Sequence, residues 1–188
     1  MLIYESGMTE EEFIACLMEA GAGRYRLNIA LKLDLGELPK VDRYCAVIQA
    51  HSAKRGLRPF VQTAGADLHL SLIQRIWGTD TMRSNLYQDF KRLPDRITLP
   101  YLDTNSTEKS GTDRSFLWIE FNQTPELAKL REGILSAMHT YRVSESPGFN
   151  YNPHMTIGND IQDTPDESVT ADPGFTEMTF KGFRIAIV

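Results

Sequence analysis

Two four-residue segments, His69-Leu70-Ser71-Leu72 and His154-Met155-Thr156-Ile157, follow one pattern of imidazole, apolar, hydroxyl, apolar, with first residues at positions 69 and 154. In an extended strand residues i and i+2 point to the same face. Each segment therefore sets an imidazole beside a hydroxyl and anchors its apolar residues on the opposite face. The first segment sits in a longer alternation over Asp67 to Ile76, with Leu68, Leu70 and Leu72 on one face and His69, Ser71 and Ile73 on the other. The second belongs to a short strand over Pro153 to Gly158. Given the chain's average composition, a histidine heads such a pattern by chance with a probability of about 0.02, and two of four do so on the order of once in 300.

The rest of the chain supplies elements around these two strands. Thr9 to Ala20 opens with a hydroxyl and three glutamates, carries Phe13, Ile14, Leu17 and Met18 at helical spacing, and runs out at Gly21 and Gly23. That is a capped amphipathic helix. Arg24 to Leu35 alternates Leu27, Ile29, Leu31 and Leu33 with Arg26, Asn28, Ala30 and Lys32, the period of a half-buried strand. Pro39 opens a helix to about Arg55; Thr79 to Leu93 is a further helix, and Arg96 to Leu102 a strand. Asn105 to Arg114 is a polar turn returning to the apolar strand Phe116 to Phe121. Thr124 to His139 is a helix with Pro125 in its first turn, the acidic stretch Asp160 to Gly174 is a loop, and Phe175 to Val188 gives one long or two short strands broken near Gly182.

This order predicts an α+β chain with mainly antiparallel sheet and helices on the outer faces. A strand and a helix followed by a histidine-bearing strand occurs once in each half, a loose internal symmetry. The expected organisation is an amino-terminal helical extension over residues 1–23 and a single bilobal domain over 24–188.

Composition narrows the function classes. With 41% hydrophobic and 24% charged residues in 188, there is material for a sizeable core. No apolar run is long enough to span a bilayer, and Met1 to Glu12 is acidic rather than cationic, so a cytoplasmic protein without a membrane partner is expected. Cys16 and Cys45 lack a CxxC or Cys/His spacing, which favours buried free thiols. A net charge of -5 argues against gripping long duplex nucleic acid, which needs a broad basic face. A nucleotide or an RNA terminus remains compatible.

Displacement at a phosphodiester needs one proton removed from the incoming hydroxyl and one delivered to the leaving oxygen, and histidine, with an unperturbed pKa around 6.5, can do either. His69 and His154 are the candidate catalytic pair, one neutral and one protonated; which is which stays open. Ser71 and Thr156 can donate hydrogen bonds to the non-bridging oxygens and hold the phosphate. No cofactor or metal is required, and the carboxylates of Asp160 to Asp172 lack an EF-hand spacing. A lone histidine beside a hydroxyl is ordinarily a satisfied structural group; the duplication favours the catalytic reading. Phe149, Tyr151 and Trp77 are candidates for stacking on a base, weighed against packing, and Arg75 is a candidate for steering phosphate, weighed against a solvated surface arginine. His51 and His139 fall in helices without a hydroxyl partner and are read as surface or packing residues.

The two motifs, their separation and the Pro153 before the second resemble the two-histidine (2H) phosphoesterase superfamily, and Arg26-Leu27-Asn28-Ile29-Ala30-Leu31 is similar to that family's opening strand. The amino-terminal helix departs from the family's common pattern. The resemblance implies a bilobal fold with two mainly antiparallel sheets lining a central cleft. It also implies a phosphodiesterase acting where a ribose 2'-oxygen or 2'-hydroxyl is in play: on a 2',3'-cyclic phosphate, a 2',5'-linked oligonucleotide, or a cyclic oligonucleotide signal of antiviral defence. RNA-end processing, 2',5'-ligase activity and a non-catalytic nucleotide-binding module are the alternatives.

Overall fold

The computed structural model describes residues 25–108, 115–141, 151–161, 165 and 167–187. The expected helix over Thr9 to Ala20, Cys16 and Phe149 lie outside the described residues. Seven strands occur among the described residues: β1 (Tyr25–Leu33), β2 (Val61–Gln62), β3 (His69–Gly78), β4 (Arg96–Glu108), β5 (Ser115–Phe121), β6 (His154–Asn159) and β7 (Glu177–Ile187). They form one sheet in the order β2-β6-β5-β4-β7-β1-β3, antiparallel at every pairing. The helices are α1 (Leu38–Lys54), α2 (Asp80–Phe90), α3 (Pro125–His139) and the short α4 (Glu167–Thr170). None of the described helices is long and apolar enough to cross a membrane.

The sheet has two halves because β4 changes partner along its length. Arg96 to Pro100 pair with β7, while Tyr101 to Glu108 pair with β5. Pro100, which has no N–H to give, stands just past the end of β5 in the ladder, where that donor is not needed. The two expected antiparallel sheets are thus the halves of one continuous sheet. β3 and β6 are separated by four strands in the ladder order, yet they lie in contact, so the sheet curls until its two histidine strands meet.

One face of this curl packs against helices. Leu27, Ile29, Leu31, Leu70, Leu117, Ile119, Met155 and Ile157 are fully buried on it, each contributing about 1.5–3 kcal/mol of transfer free energy. On the second half α1 inserts Val41, Tyr44, Cys45 and Ile48, and the Tyr44 hydroxyl donates to Thr104 Oγ1 of β4 at 2.7 Å. Burial pushes the Cys45 thiol up to about 12, so it is inert packing. On the first half α2 meets β7 through Phe90 against Phe183, and Tyr141, just past α3, donates to Asp89 of α2. Thr79 caps α2 and Thr124 caps α3 through their side-chain oxygens.

Several expectations shift. Ile73, expected on the face of His69 and Ser71, is buried on the core face. Ile29 pairs with Ile73 and Ala30 with Ser71, which leaves Leu72 as an extra residue; this bulge breaks the alternation after Ser71. The polar stretch 105–108, expected to turn, continues β4 against β5. The acidic stretch expected as a loop contains α4, and β7 runs unbroken through Gly182 (φ +81°), a conformation only glycine adopts freely, with its N–H given to the Asp95 carbonyl. The two-residue β2 is an element the periodicity does not predict.

Candidate active site

The face opposite the helices carries the polar residues of both histidine strands. His69 is half-buried and Ser71 buried on β3; His154 and Thr156 are half-buried on β6. The two imidazoles are held alike. His69 Nδ1 lies 2.6 Å from the carbonyl of Asp67, and His154 Nδ1 lies 2.8 Å from the carbonyl of Asn152, each two residues upstream. A carbonyl only accepts, so each Nδ1 carries its proton and each Nε2 is the atom left for chemistry.

The residues flanking the two carbonyls are themselves tied down. Gly65 to Asp67 form a 3-10 turn, and the carbonyl of Leu68 accepts from Leu33 N at 3.0 Å. On the other side Phe121 N donates to the carbonyl of Pro153 at 2.9 Å, and Gln123 Nε2 donates to that of Tyr151. These bonds hold the backbone on either side of each ring's carbonyl partner before a substrate arrives.

The site is electrostatically uneven. Burial lowers the pKa of His69, and the positive charges of Arg184 and His154 lower it further, against the opposing pull of the Asp67 carbonyl and carboxylate. His69 is therefore biased toward the neutral form. The Coulombic effect of His154 on His69 places the two rings within each other's field.

Of the other sequence candidates, Tyr151 is buried. Its hydroxyl donates to the carbonyl of Ser71 at 2.9 Å, and the Arg131 guanidinium lies 3.8 Å from its ring centroid. It serves as an anchor between β3 and the segment leading into β6. Arg131 also donates from Nε to the carbonyl of Leu72, the bulge residue. Trp77 is half-buried with Arg26 packed 5.0 Å over its ring. Arg75 lies in β3. His51 is half-buried in α1, and His139 is exposed at the end of α3.

Two residues of the site escaped the sequence reading. On β5, Trp118 stands opposite Thr156 and Glu120 opposite His154. Trp118 Nε1 donates to Glu120 Oε1 at 2.8 Å, and its ring meets that of His154 edge-on with centroids 6.3 Å apart. The signal available was the alternation Phe116, Trp118, Glu120 along β5; what was missing was the pairing of that strand with β6.

A family model described as the 2'-5' RNA ligase superfamily matches residues 60–187. Among solved structures, a phosphoesterase shares 17% identity at a TM-score of 0.55, with 87% of each chain covered. Usb1 of Kluyveromyces marxianus shares 13% identity at 0.54, over 89% of this chain and 95% of that one. E. coli LigT complexed with 3'-AMP shares 18% at 0.51, over 88% and 96%. No curated protein matches the chain.

Proposed function

The chain belongs to the 2'-5' RNA ligase superfamily, and from that premise we propose that it is a phosphodiesterase whose acid and base are His69 and His154. The observation that carries this reading is the matched pair of imidazoles, each pinned through Nδ1 to the carbonyl two residues upstream and each with a hydroxyl at the next position on its own face. An acid and a base each held through Nδ1 on facing strands, with Nε2 left for chemistry, suit a reaction that needs one proton taken and one given.

The substrate we propose carries a phosphodiester in which a ribose 2'-oxygen takes part. The family points that way, and the 3'-AMP complex of E. coli LigT supports a nucleotide in the cleft. For a 2',3'-cyclic phosphate, a water oxygen attacks phosphorus as Nε2 of His69 takes the water proton. The bond from phosphorus to one ribose oxygen breaks, and that oxygen takes the proton of Nε2 on protonated His154. One water is consumed and a monoester is formed. The lowered pKa of His69 favours the base role for it in this direction. Ser71 and Thr156 donate to the non-bridging oxygens, and the exposed part of the Trp118 ring offers a stacking surface for a base. In the second route, open to 2',5'-linked oligonucleotides and cyclic oligonucleotide signals, a ribose hydroxyl replaces water as the attacker, a chemistry that would suit evasion of antiviral defence.

The test is incubation in EDTA with 2',3'-cyclic nucleotides, 2',5'-linked oligoadenylate and cyclic dinucleotides, beside His69→Ala and His154→Ala. Turnover by the parent that both variants lose supports the reading. No turnover of any compound, or variants as active as the parent, overturns it.

A further inference from the structure

A groove of about 460 Å³ lies along β1 and β7, lined by Lys32, Ala66, Arg83, Tyr87, Arg184, Ile185 and Ala186. Its floor follows from strand register. Lys32 on β1 is directly opposite His69, Ala30 is opposite Ser71, and Arg184 on β7 is opposite Ala30. Directly opposed residues share a face, and strands lie about 4.8 Å apart, so Lys32 stands one strand spacing and Arg184 about 10 Å from the strand of His69 and Ser71. Ala30, between Ser71 and Arg184, leaves the floor low. Arg83 and Tyr87 of α2 form the wall. The Tyr87 hydroxyl accepts the Ile185 N–H at 2.9 Å, which leaves its own proton to donate.

The groove is basic within an acidic chain of net charge -5. Arg184 shares its charge with Asp67 at 3.2 Å, while Lys32 and Arg83 have no ion-pair partner among the described residues. A lysine point charge with two guanidinium forks suits a phosphate, which accepts several charge-assisted hydrogen bonds at once. We propose that this groove holds a second phosphate of the same substrate, one nucleotide unit from the phosphodiester between His69 and His154. The inference rests on reading that cleft as a phosphodiester site. It narrows the substrate class to nucleotides bearing at least two phosphate groups, which a 5'-phosphorylated end or an oligonucleotide provides and an unphosphorylated cyclic mononucleotide does not.

The experiment is calorimetric titration of the full chain with adenosine 3',5'-bisphosphate, 3'-AMP and inorganic phosphate, repeated on Lys32→Ala/Arg83→Ala. The bisphosphate is expected to bind about tenfold or more tightly than 3'-AMP, with the steeper salt dependence; the double variant drops it to the 3'-AMP level without changing the Kd of 3'-AMP. Equal affinity for the two nucleotides in the parent, or a preference that survives the double substitution, overturns the proposal. Inorganic phosphate binding as tightly as the bisphosphate overturns the assignment to a substrate group. If the bisphosphate preference holds while no diester is turned over, the groove stands and the catalytic reading falls.

Discussion

The Tyr151 hydroxyl donates to the carbonyl of Ser71 at 2.9 Å, tying the segment that leads into His154 to the strand that carries His69. Since β3 and β6 are not ladder neighbours, this side-chain bond does across the cleft what a backbone ladder does within each half. Tyr151→Phe keeps the ring under Arg131 and removes the bond to Ser71. Denaturant titration should show a loss of about 1 kcal/mol, the usual net worth of one such hydrogen bond. Because the bond positions the two pairs, kcat should fall more than KM rises; equal stability and kcat in variant and parent would remove Tyr151 from any positioning role.

On the proposed mechanism, replacing either histidine by alanine should lower kcat by about 10²–10⁴-fold in steady-state assays, and the double variant should be little worse than the poorer single one, because an acid and a base serving one step act as a unit. Ser71→Ala and Thr156→Val should keep a measurable rate. Multiplicative losses in the double histidine variant would mean that the two rings work in separate steps.

Protonation of His69 sets a second expectation. Its folded-state pKa lies below 6.5, so the unfolded chain binds the proton more readily. Its contribution to stability is therefore fully present above pH 6.5 and is lost as pH falls through the lower, folded-state value. Melting temperature should fall on acidification from neutrality, and His69→Gln should flatten that part of the profile. The acid limb of kcat/KM should likewise titrate below 6.5. An acid limb above 6.5 would reverse the assignment of base and acid.

Gly158 of β6 faces Phe60. A Cβ there would collide with the Phe60 ring, and Phe60 is itself buried. Gly158→Ala should destabilise the protein by about 1–3 kcal/mol, the usual cost of overpacking a core, by thermal denaturation. Gly56, where an added Cβ would meet nothing within 4 Å, has no such clash and is the control for position, though its φ of +75° carries its own backbone cost.

Trp118→Ala should raise KM for a nucleotide by an amount equivalent to about 1–3 kcal/mol, the range for one base on one aromatic ring, with a smaller effect on kcat. Trp118→Phe should recover most of the loss. Unchanged KM in both variants would leave the indole as a packing partner of His154.

Much of this was legible because the information is local. The imidazole and hydroxyl at i and i+2, the Thr79 and Thr124 caps, and the helix opened by Pro39 are decided within a few residues. What was not legible depends on which strand lies beside which. Trp118 and Glu120 come beside Thr156 and His154 through the β5–β6 register, and Lys32 and Arg184 come to His69 and Ser71 through β1 and β7. The stretch 105–108 looked like a turn because its side chains are polar, but its backbone is satisfied by β5 whatever those side chains are. Ile73 left its expected face because a bulge inserts Leu72, and the freed Leu72 carbonyl is met by Arg131, 59 positions away.

The shared strand β4 also sets a rule for how such a chain can change. Its first part belongs to one half of the sheet and its second part to the other, so its residue count acts as a gear between them. Side chains alternate along a strand with a period of two. A single residue added near Tyr101 would turn one half inside out relative to its partner, sending Trp118 and His154 toward the helices while His69 stayed in the cleft. Lengths that differ by two keep both pairs facing inward; lengths that differ by one do not.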